Sequence, residues 1–362
     1  MKRRVGKTIL RRCAAFLCVL AVGGLLIQYG GGQRLALMAA GLRRPEGVFT
    51  LWNQRFTATA ADGGGTLPPV LFGGVGDTTA ADVPTAVTPS VQTPTITMTD
   101  PPGNHGDGGR LVEKTMSTGD RSKGIAIQNR SGKTVDIAAA LSRDLSVKWE
   151  DTDQPQVLIL HTHTTEGYMT YEADYYNAAD RQRTKDHTRN VCAVGETVRA
   201  TLAAYGIAAI HDTTVHDNPV YSGAYTRSAE VAKTYLEQYP SIKVVLDLHR
   251  DSVMDGDVMI RPTATVEGKK AAQMMLITGV VDTDALPHPH WEQNLTLSAH
   301  WQAALDEVSP SLMRPLNTVS SRYNQYLSPG WVLVEMGAEG NTIEEAVYSA
   351  QILGETLAKL LG

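Results

Sequence analysis

Apolar and polar positions after residue 110 follow two periods, one typical of strands and one of helices. Residues 157–160 are Val-Leu-Ile-Leu, a short apolar run that predicts a strand buried on both faces. Between residues 190 and 205 the apolar side chains recur at spacings of three and four, which predicts an amphipathic helix closed by Gly206. Strand-like and helix-like segments then alternate to the end of the chain.

The predicted elements together define a fold class. A lead-in over 110–154 carries a short strand near 125–127 and helical spacing over 135–145. Further strands are predicted at 207–210, 244–248, 258–260, 274–277 and 331–335, and further helices at 222–239, 291–308 and 342–361. Alternation of this kind predicts an α/β domain over residues 110–362, with a mostly parallel sheet flanked by helices.

The N-terminus has a different composition. Six basic residues lie within the first twelve positions, and an uncharged, largely apolar run follows from Cys13 to Gln33. The run is slightly shorter than the ~20 residues that span a bilayer, and its glycine-rich end is a poor signal-peptide cleavage site. We therefore predict that residues 1–33 are a cytoplasmic basic tip and an uncleaved transmembrane anchor, with the rest of the chain outside.

Residues 34–109 are predicted to join this anchor to the α/β domain. After a short juxtamembrane segment the composition is dominated by Thr, Pro, Gly, Ala and Asp. Such a segment cannot bury enough apolar surface to fold, which predicts a disordered tether.

Charge and cysteine content narrow the function further. The net charge of −5 provides no basic excess, which argues against a nucleic-acid partner. Cys13 and Cys18 lie in or beside the predicted anchor, so Cys192 is alone in the exported part and cannot form an internal disulfide. Its place in an apolar helical pattern predicts a small buried side chain and not a nucleophile.

Candidate chemistry follows three of the predicted strands. The first strand runs into His161-Thr162-His163, a later one ends in Asp247-Leu248-His249-Arg250-Asp251, and the last ends at Glu335. Parallel strands bring their carboxyl ends to one edge of the sheet, so these residues are expected to converge. A zinc hydrolase needs His or carboxylate ligands, an open water position and a carboxylate general base. The chain contains no Gly-x-Ser-x-Gly elbow and no Walker loop that would indicate another chemistry.

The ligand set is left open at two points. Either His161 or His163 supplies the first ligand. A further ligand is expected from the loop 166–189, where Asp186 or His187 lies just before the predicted helix at Asn190.

Four segments of the sequence resemble the stage II sporulation protein P family. They are His161–Tyr168 (His-Thr-His-Thr-Thr-Glu-Gly-Tyr), Arg183–Gly195, Asp247–Ser252 and Leu333–Thr342. The resemblance covers about residues 110–362, and an N-terminal membrane segment followed by a variable tether also fits this family. Gly167 is a departure, since the family pattern leads us to expect Ser there.

The resemblance implies a zinc-dependent N-acetylmuramoyl-L-alanine amidase, with endopeptidase activity on cross-linked stem peptides. The implied zinc ligands are His161 or His163, then Asp186, then His249, and the implied catalytic base is Glu335. Glu166 is expected to orient a ligand histidine, and Arg250 to bind a substrate carboxylate or polarise the carbonyl.

The resemblance also implies partners and a location. Peptidoglycan is the implied substrate, and a glycan-cleaving sporulation protein D and a membrane anchor protein are the implied partners, in a complex at the engulfing membrane. Two rival hypotheses remain: a zinc endopeptidase with the same metal residues, and a catalytically silent wall-binding scaffold. The presence of Glu335 beside the histidines argues against the scaffold.

Overall fold

The computed structural model describes residues 91, 94–103, 108–121, 124–181 and 183–362, and all of them belong to one compact unit. The strands are β1 (Gly109–Lys114), β2 (Ile127–Asn129), β3 (Val157–Leu160), β4 (Tyr175–Tyr176), β5 (Ala209–His211), β6 (Val244–Asp251), β7 (Met254–Asp255), β8 (Val258–Val266), β9 (Lys269–Ala272), β10 (Met274–Gly279), β11 (Leu316–Val319) and β12 (Trp331–Ala338). The helices are α1 (Ile137–Ser142), α2 (Val191–Ala204), α3 (Ala224–Gln238), α4 (Trp291–Val308) and α5 (Ile343–Leu360), with 3₁₀ turns at Ala178–Arg181 and Gln325–Leu327.

A seven-stranded sheet in the order β2-β11-β10-β12-β6-β3-β5 forms the centre of the fold. Neighbouring strands are parallel except for β10 and β12, which pair antiparallel. The predicted class, an α/β domain with a mostly parallel sheet, is therefore confirmed. A smaller five-stranded sheet, β4-β1-β8-β7 with β9 paired to β8, lies beside it.

The two faces of the main sheet are covered unequally. Side chains alternate between faces along a strand. Val157 and Ile159 of β3 belong to the large core that α2, α4 and α5 build, whereas Leu158 and Leu160 pack in a small cluster with α3. The second face is therefore only partly covered, which leaves room on it for a cleft.

Helix ends are fixed by the side chains that precede them. The Asn190 side chain accepts a hydrogen bond from the Cys192 amide at the start of α2. Thr342 and Glu345 form a reciprocal capping box at the start of α5. The first cap ends the loop between β3 and α2, and the second ends the loop between β12 and α5. The point at which each loop joins its helix is therefore fixed.

Several predicted boundaries agree closely with the structure, and some differ. Helix α4 begins and ends where predicted, and α2 begins after Asn190. Strands β6 and β12 extend beyond their predicted ends, through residue 251 and residue 338. The polar residues His249 and Glu335 led us to predict strand ends there, but the pairing between the two strands continues past them.

The predicted membrane anchor at 1–33 and the juxtamembrane segment after it lie outside the described residues. Within the described part of the chain, no helix is long and apolar enough to cross a bilayer. The end of the predicted tether differs from the expectation of disorder. Thr97 and Thr99 donate backbone hydrogen bonds to the carbonyls of Thr188 and Thr170, and Ile96 and Met98 pack on the core.

Cys192 provides a test of this packing. Its side chain is 2% exposed, and burial raises the pKa of the thiol to about 12. Because the thiolate is the reactive form, a Cys13→Ser/Cys18→Ser chain is expected to resist an aromatic disulfide reagent at pH 8 when native and to react with one equivalent in denaturant. Rapid labelling of the native chain would contradict this packing.

Candidate active site

A cleft with a volume of about 280 Å³ opens on the partly covered face of the main sheet. Its walls come from the loop after β3, from α3 and from strands β6, β10 and β12. The lining residues are His163, Glu166, Arg183, Tyr221, Tyr225, His249, Arg250, Asp251, Ser252, Ile277, Tyr323, Leu333 and Glu335.

The pairing of β6 with β12 brings two of the predicted chemical groups together. His249 and Glu335 are directly paired across these parallel strands, as are Asp247 and Leu333 two residues earlier. Residues in register point to the same face of a sheet. All four side chains therefore point away from the large core, and those of His249, Leu333 and Glu335 line the cleft. The predicted convergence of His249 and Glu335 occurs, but through register within the strands and not at their ends.

Strand β3 stops at Leu160, and a turn built from the following residues fills the space beside β6. The buried Asp247 carboxylate holds this turn, because it accepts hydrogen bonds from the Thr162 amide at 2.8 Å and from the Thr162 hydroxyl at 2.7 Å. The turn places His163 and Glu166 over β6.

His249 lies between two carboxylates. Its Nε2 is 3.0 Å from Asp247 Oδ1, and its Nδ1 is 3.3 Å from Glu166 Oε2. Burial by itself would lower the pKa of His249, but the two carboxylates outweigh it and raise that pKa. The ring therefore faces a carboxylate on each side, although its buried Nε2 has no hydrogen-bond partner.

Glu166 links the turn to β6 and to the loop that follows. Its Oε2 accepts the backbone amide of Arg250 at 3.0 Å, and its Oε1 is 3.3 Å from the Arg183 guanidinium. Burial opposes ionisation of Glu166, but His249 and Arg250 outweigh it and lower its pKa to about 2. Arg183 also donates to Asp217 at 2.6 Å, which fixes the guanidinium at the rim of the cleft.

His163 points into the cleft and is partnered on one side of its ring. The Tyr221 hydroxyl is 3.0 Å from Nε2, and the two rings stack with centroids 4.5 Å apart. The buried Nδ1 has no hydrogen-bond partner. Burial and then the nearby His249 lower the pKa of His163 to about 4, so the ring is neutral near pH 7 and can act as a ligand.

Glu335 also contributes an unpartnered atom. Its Oε2 is buried without a hydrogen-bond partner at the side of the cleft. Burial raises the pKa of Glu335 to about 8; His249 opposes this rise, and Asp251 and Glu166 add to it. A carboxyl group with a pKa near neutrality can both accept and release a proton during a reaction.

Aromatic side chains line part of the cleft, and they were not predicted from the sequence. Tyr225 of α3 stacks near His249, with ring centroids 6.3 Å apart, and also contacts Tyr323 at 5.4 Å. Tyr323 has a left-handed backbone with φ of +44°, followed by Asn324 at +62°. The Asn324 amide donates to the Tyr225 carbonyl and so supports this backbone. Strained backbone of this kind clusters at functional sites.

Arg250, predicted to contact substrate, lies at the cleft with its guanidinium partly engaged. Nε donates to the Gly167 carbonyl at 3.0 Å, and Nη1 is 3.7 Å from Glu339. Its role toward substrate stays a prediction.

Three of the predicted site residues do not line the cleft. His161 is fully buried behind the turn. Asp186 and His187 are exposed, and the Asp186 carboxylate accepts hydrogen bonds from the Thr188 amide at 3.0 Å and hydroxyl at 2.7 Å. Asp186, four residues before Asn190, therefore closes a local turn, and the structure does not bring it near His249.

The residues present fit a zinc ion by their chemistry. Across the described residues, no three His, Cys, Asp or Glu side chains converge closely enough to hold an ion as they stand. However, the unpartnered His163 Nδ1, the Glu166 carboxylate and His249 line one cleft. Two histidines and a glutamate are a known ligand set of catalytic zinc, and an outer partner on each ring, here Tyr221 and Asp247, is typical of ligand histidines.

Fold and site together define an α/β domain whose cleft carries two histidines and two glutamates. The sequence model of the family described as Stage II sporulation protein P (SpoIIP) matches residues 109–358. The chain belongs to this family. Stage II sporulation protein P of Bacillus subtilis (strain 168) is 25% identical over 219 residues, which cover 58% of this chain and 51% of the relative. The match thus spans about half the length of that curated protein.

Three solved structures resemble part of the chain. They are the N-acetylmuramyl-L-alanine amidase Ami1 from Mycobacterium abscessus, at 13% identity and TM-score 0.35, covering 58% of this chain and 100% of that one; an N-acetylmuramoyl-L-alanine amidase from Clostridium difficile 630, at 13% and 0.35, covering 58% and 95%; and the CwlD amidase from Clostridioides difficile in complex with the GerS lipoprotein, at 15% and 0.34, covering 57% and 94%.

Asp247 and Asp186 offer a matched pair of aspartates for testing the site framework. Asp247→Ala removes a buried carboxylate that holds both Thr162 and His249, so we expect a loss of about 3 kcal/mol in the free energy of unfolding. Asp186→Ala changes an exposed turn and should stay within about 0.5 kcal/mol of the wild type. Urea denaturation followed by tryptophan fluorescence measures both. Equal effects of the two substitutions would contradict the bracing role of Asp247.

Proposed function

We propose that this protein is a zinc-dependent peptidoglycan hydrolase that cleaves the amide bond between N-acetylmuramic acid and L-alanine. The observation that carries the proposal is the placement of the unpartnered His163 Nδ1 and Glu335 Oε2 in one cleft with Glu166 and His249. Membership of the Stage II sporulation protein P family supports a role in sporulation.

We propose His163, Glu166 and His249 as the zinc ligands. This assignment selects the second histidine of His-Thr-His and replaces Asp186 by Glu166, because only the latter lines the cleft. Zinc bound there would supply an electrophile that polarises the scissile carbonyl and acidifies water. Tyr221 and Asp247 would fix the orientation of the two rings.

Glu335 is proposed as the proton carrier. Its Oε2 takes the proton from water as the oxygen attacks the carbonyl carbon. The same carboxyl group then gives that proton to the leaving amine, so that the amine departs as a neutral group. The position of Glu335 on a strand, in register with His249, keeps these two residues next to each other.

Two groups of cleft residues suit different parts of a muropeptide. Arg183 and Arg250 provide positive charge for a stem-peptide carboxylate. Tyr225, Tyr323, Ile277 and Leu333 provide an apolar surface for the sugar ring or an alanine methyl group. In this proposal the scissile amide lies between these two surfaces.

The proposed location is the outer side of the cytoplasmic membrane, with residues 1–33 as the anchor. The partners that the family resemblance implies, a glycan-cleaving sporulation protein D and a membrane anchor protein, stay predictions. The principal alternative is a zinc endopeptidase that cuts the cross-link peptide, since it would use the same residues.

Glu335→Gln tests the proton carrier. The substitution keeps the shape of the side chain but removes its basicity, so hydrolysis of purified sacculi should fall by about 10²–10⁴-fold. Glu344→Gln, an exposed glutamate in the first turn of α5, is the matched control and should act like the wild type. Mass spectrometry of the products measures both rate and bond. Free stem peptides support the amidase, whereas intact stems with cut cross-links would contradict it.

Zinc content tests the ligand set separately from activity. His163→Ala and Glu166→Ala should each weaken zinc binding severely, while Asp186→Ala should retain one zinc per chain. Metal analysis by mass spectrometry after dialysis, with circular dichroism to confirm folding, makes the comparison. Loss of zinc from Asp186→Ala together with retention in Glu166→Ala would refute the assignment.

A further inference from the structure

The first histidine of His-Thr-His occupies a buried position behind the cleft and has two ring contacts. Its Nδ1 is 2.9 Å from the carbonyl oxygen of Leu248, and its Nε2 is 2.9 Å from Nε2 of His211. His161 is 0% exposed. The proposed function gives this side chain no part in the reaction, although it precedes the proposed ligand His163 by only two residues.

The contact with Leu248 satisfies a backbone group that the sheet leaves free. Pairing of β3 with β6 ends at Leu160 and Asp247, so the Leu248 carbonyl lies beyond the last ladder pair. A buried carbonyl without a partner costs free energy, and His161 supplies the missing donor. Because a carbonyl can only accept, we assign the His161 proton to Nδ1, which makes its Nε2 the acceptor in the contact with His211.

The amide on the other side of His249 is satisfied in the same way. Arg250 N donates to Glu166 Oε2 at 3.0 Å. Consequently, the two free backbone groups that flank His249 are both bound by side chains of the turn after β3. His161 holds the carbonyl before His249, and Glu166 holds the amide after it.

His161 is itself held from behind. His211 on β5 places its Nδ1 3.2 Å from Glu196 Oε2 on α2, and Arg199 binds the same carboxylate at 2.9 Å. The chain of contacts therefore runs from an ion pair on α2, 37% exposed at Glu196, through two imidazoles to the backbone of β6.

Gly195 makes this arrangement sterically possible. A Cβ atom at this position would lie 2.5 Å from His211 Nε2 and 2.7 Å from His161 Nε2. Glycine inside a helix costs about 1 kcal/mol relative to alanine. Its presence in α2 is explained by the space that the two rings require.

We propose that His161, His211 and Glu196 form a positioning relay that fixes the Leu248 carbonyl and thereby the backbone that presents His249. His161 and His211 are positioning residues that act through His249 and do not contact substrate. The proposal rests on the proposed function for its effects on zinc affinity and on turnover. The ring contacts of the relay do not depend on the proposed function.

The ring contacts have a spectroscopic signature that is independent of activity. In full-length protein with isotope-labelled histidine, the buried His161 Nδ1–H should give a slowly exchanging ring signal near the low-field end of the proton spectrum. The signal should vanish in His161→Ala, and in Gly195→Ala, which keeps both rings but forces them apart. His300→Ala is the matched control and should leave it unchanged, because the His300 ring lies on α4 and bonds to the Arg143 carbonyl.

Function is tested by a series at position 161. His161→Ala should weaken zinc affinity and lower kcat by about 10–100-fold each, with KM nearly unchanged. His161→Asn retains an N–H donor that can reach Leu248 and should recover most of both losses. A merely structural role would give equal losses for Ala and Asn variants, and wild-type zinc affinity in His161→Ala would overturn the relay.

The outcomes separate this proposal from the proposed function. If the wild type fails to hydrolyse sacculi, the amidase proposal fails, while the ring signal and the zinc affinities still decide the relay. If the wild type is active but shows no protected ring proton, and His161→Ala keeps normal kcat, the relay is refuted and the amidase proposal stands.

Discussion

The parallel pairing of β6 with β12 is the constraint on which the site depends. It continues past the point where β3 ends, so that His249 and Glu335 are in register on a face that the helices only partly cover. The end of β3 leaves two backbone groups of β6 free, and the turn after β3 satisfies both with side chains. The same turn carries His163 and Glu166 into the cleft. The same turn therefore binds the free backbone groups of β6 and assembles the site.

Much of this arrangement could be predicted because it depends on periodicity and register. The four apolar residues of β3, the spacing in α2 and the full length of α4 follow from burial patterns that the sequence displays directly. The convergence of His249 with Glu335 follows from parallel topology. The antiparallel insertion of β10 between β11 and β12 could not be foreseen, because short apolar strands carry no signal of direction.

The details of the site depend on turns, and turns were the weak point of prediction. His161 and His163 differ by two residues, yet the turn that begins at Thr162 directs one behind the cleft and the other into it. Asp186 is at an attractive spacing before Asn190, but its carboxylate closes a local turn with Thr188. Of the tyrosines in the cleft, Tyr221 precedes α3, Tyr225 lies on α3 and Tyr323 lies in a left-handed loop segment, and no periodic pattern singles out these positions.

The origin of the cleft residues has a consequence for how this protein can diversify. The groups proposed for chemistry are set by strands β6 and β12 and by the short turn braced against β6, where any shift would disturb the core. Among the groups that would touch the substrate, Tyr225 and the strained Tyr323 lie outside the strands. Substitutions in these outer segments can change which muropeptides fit without altering the reaction centre. Selectivity and reactivity can therefore evolve separately in this fold.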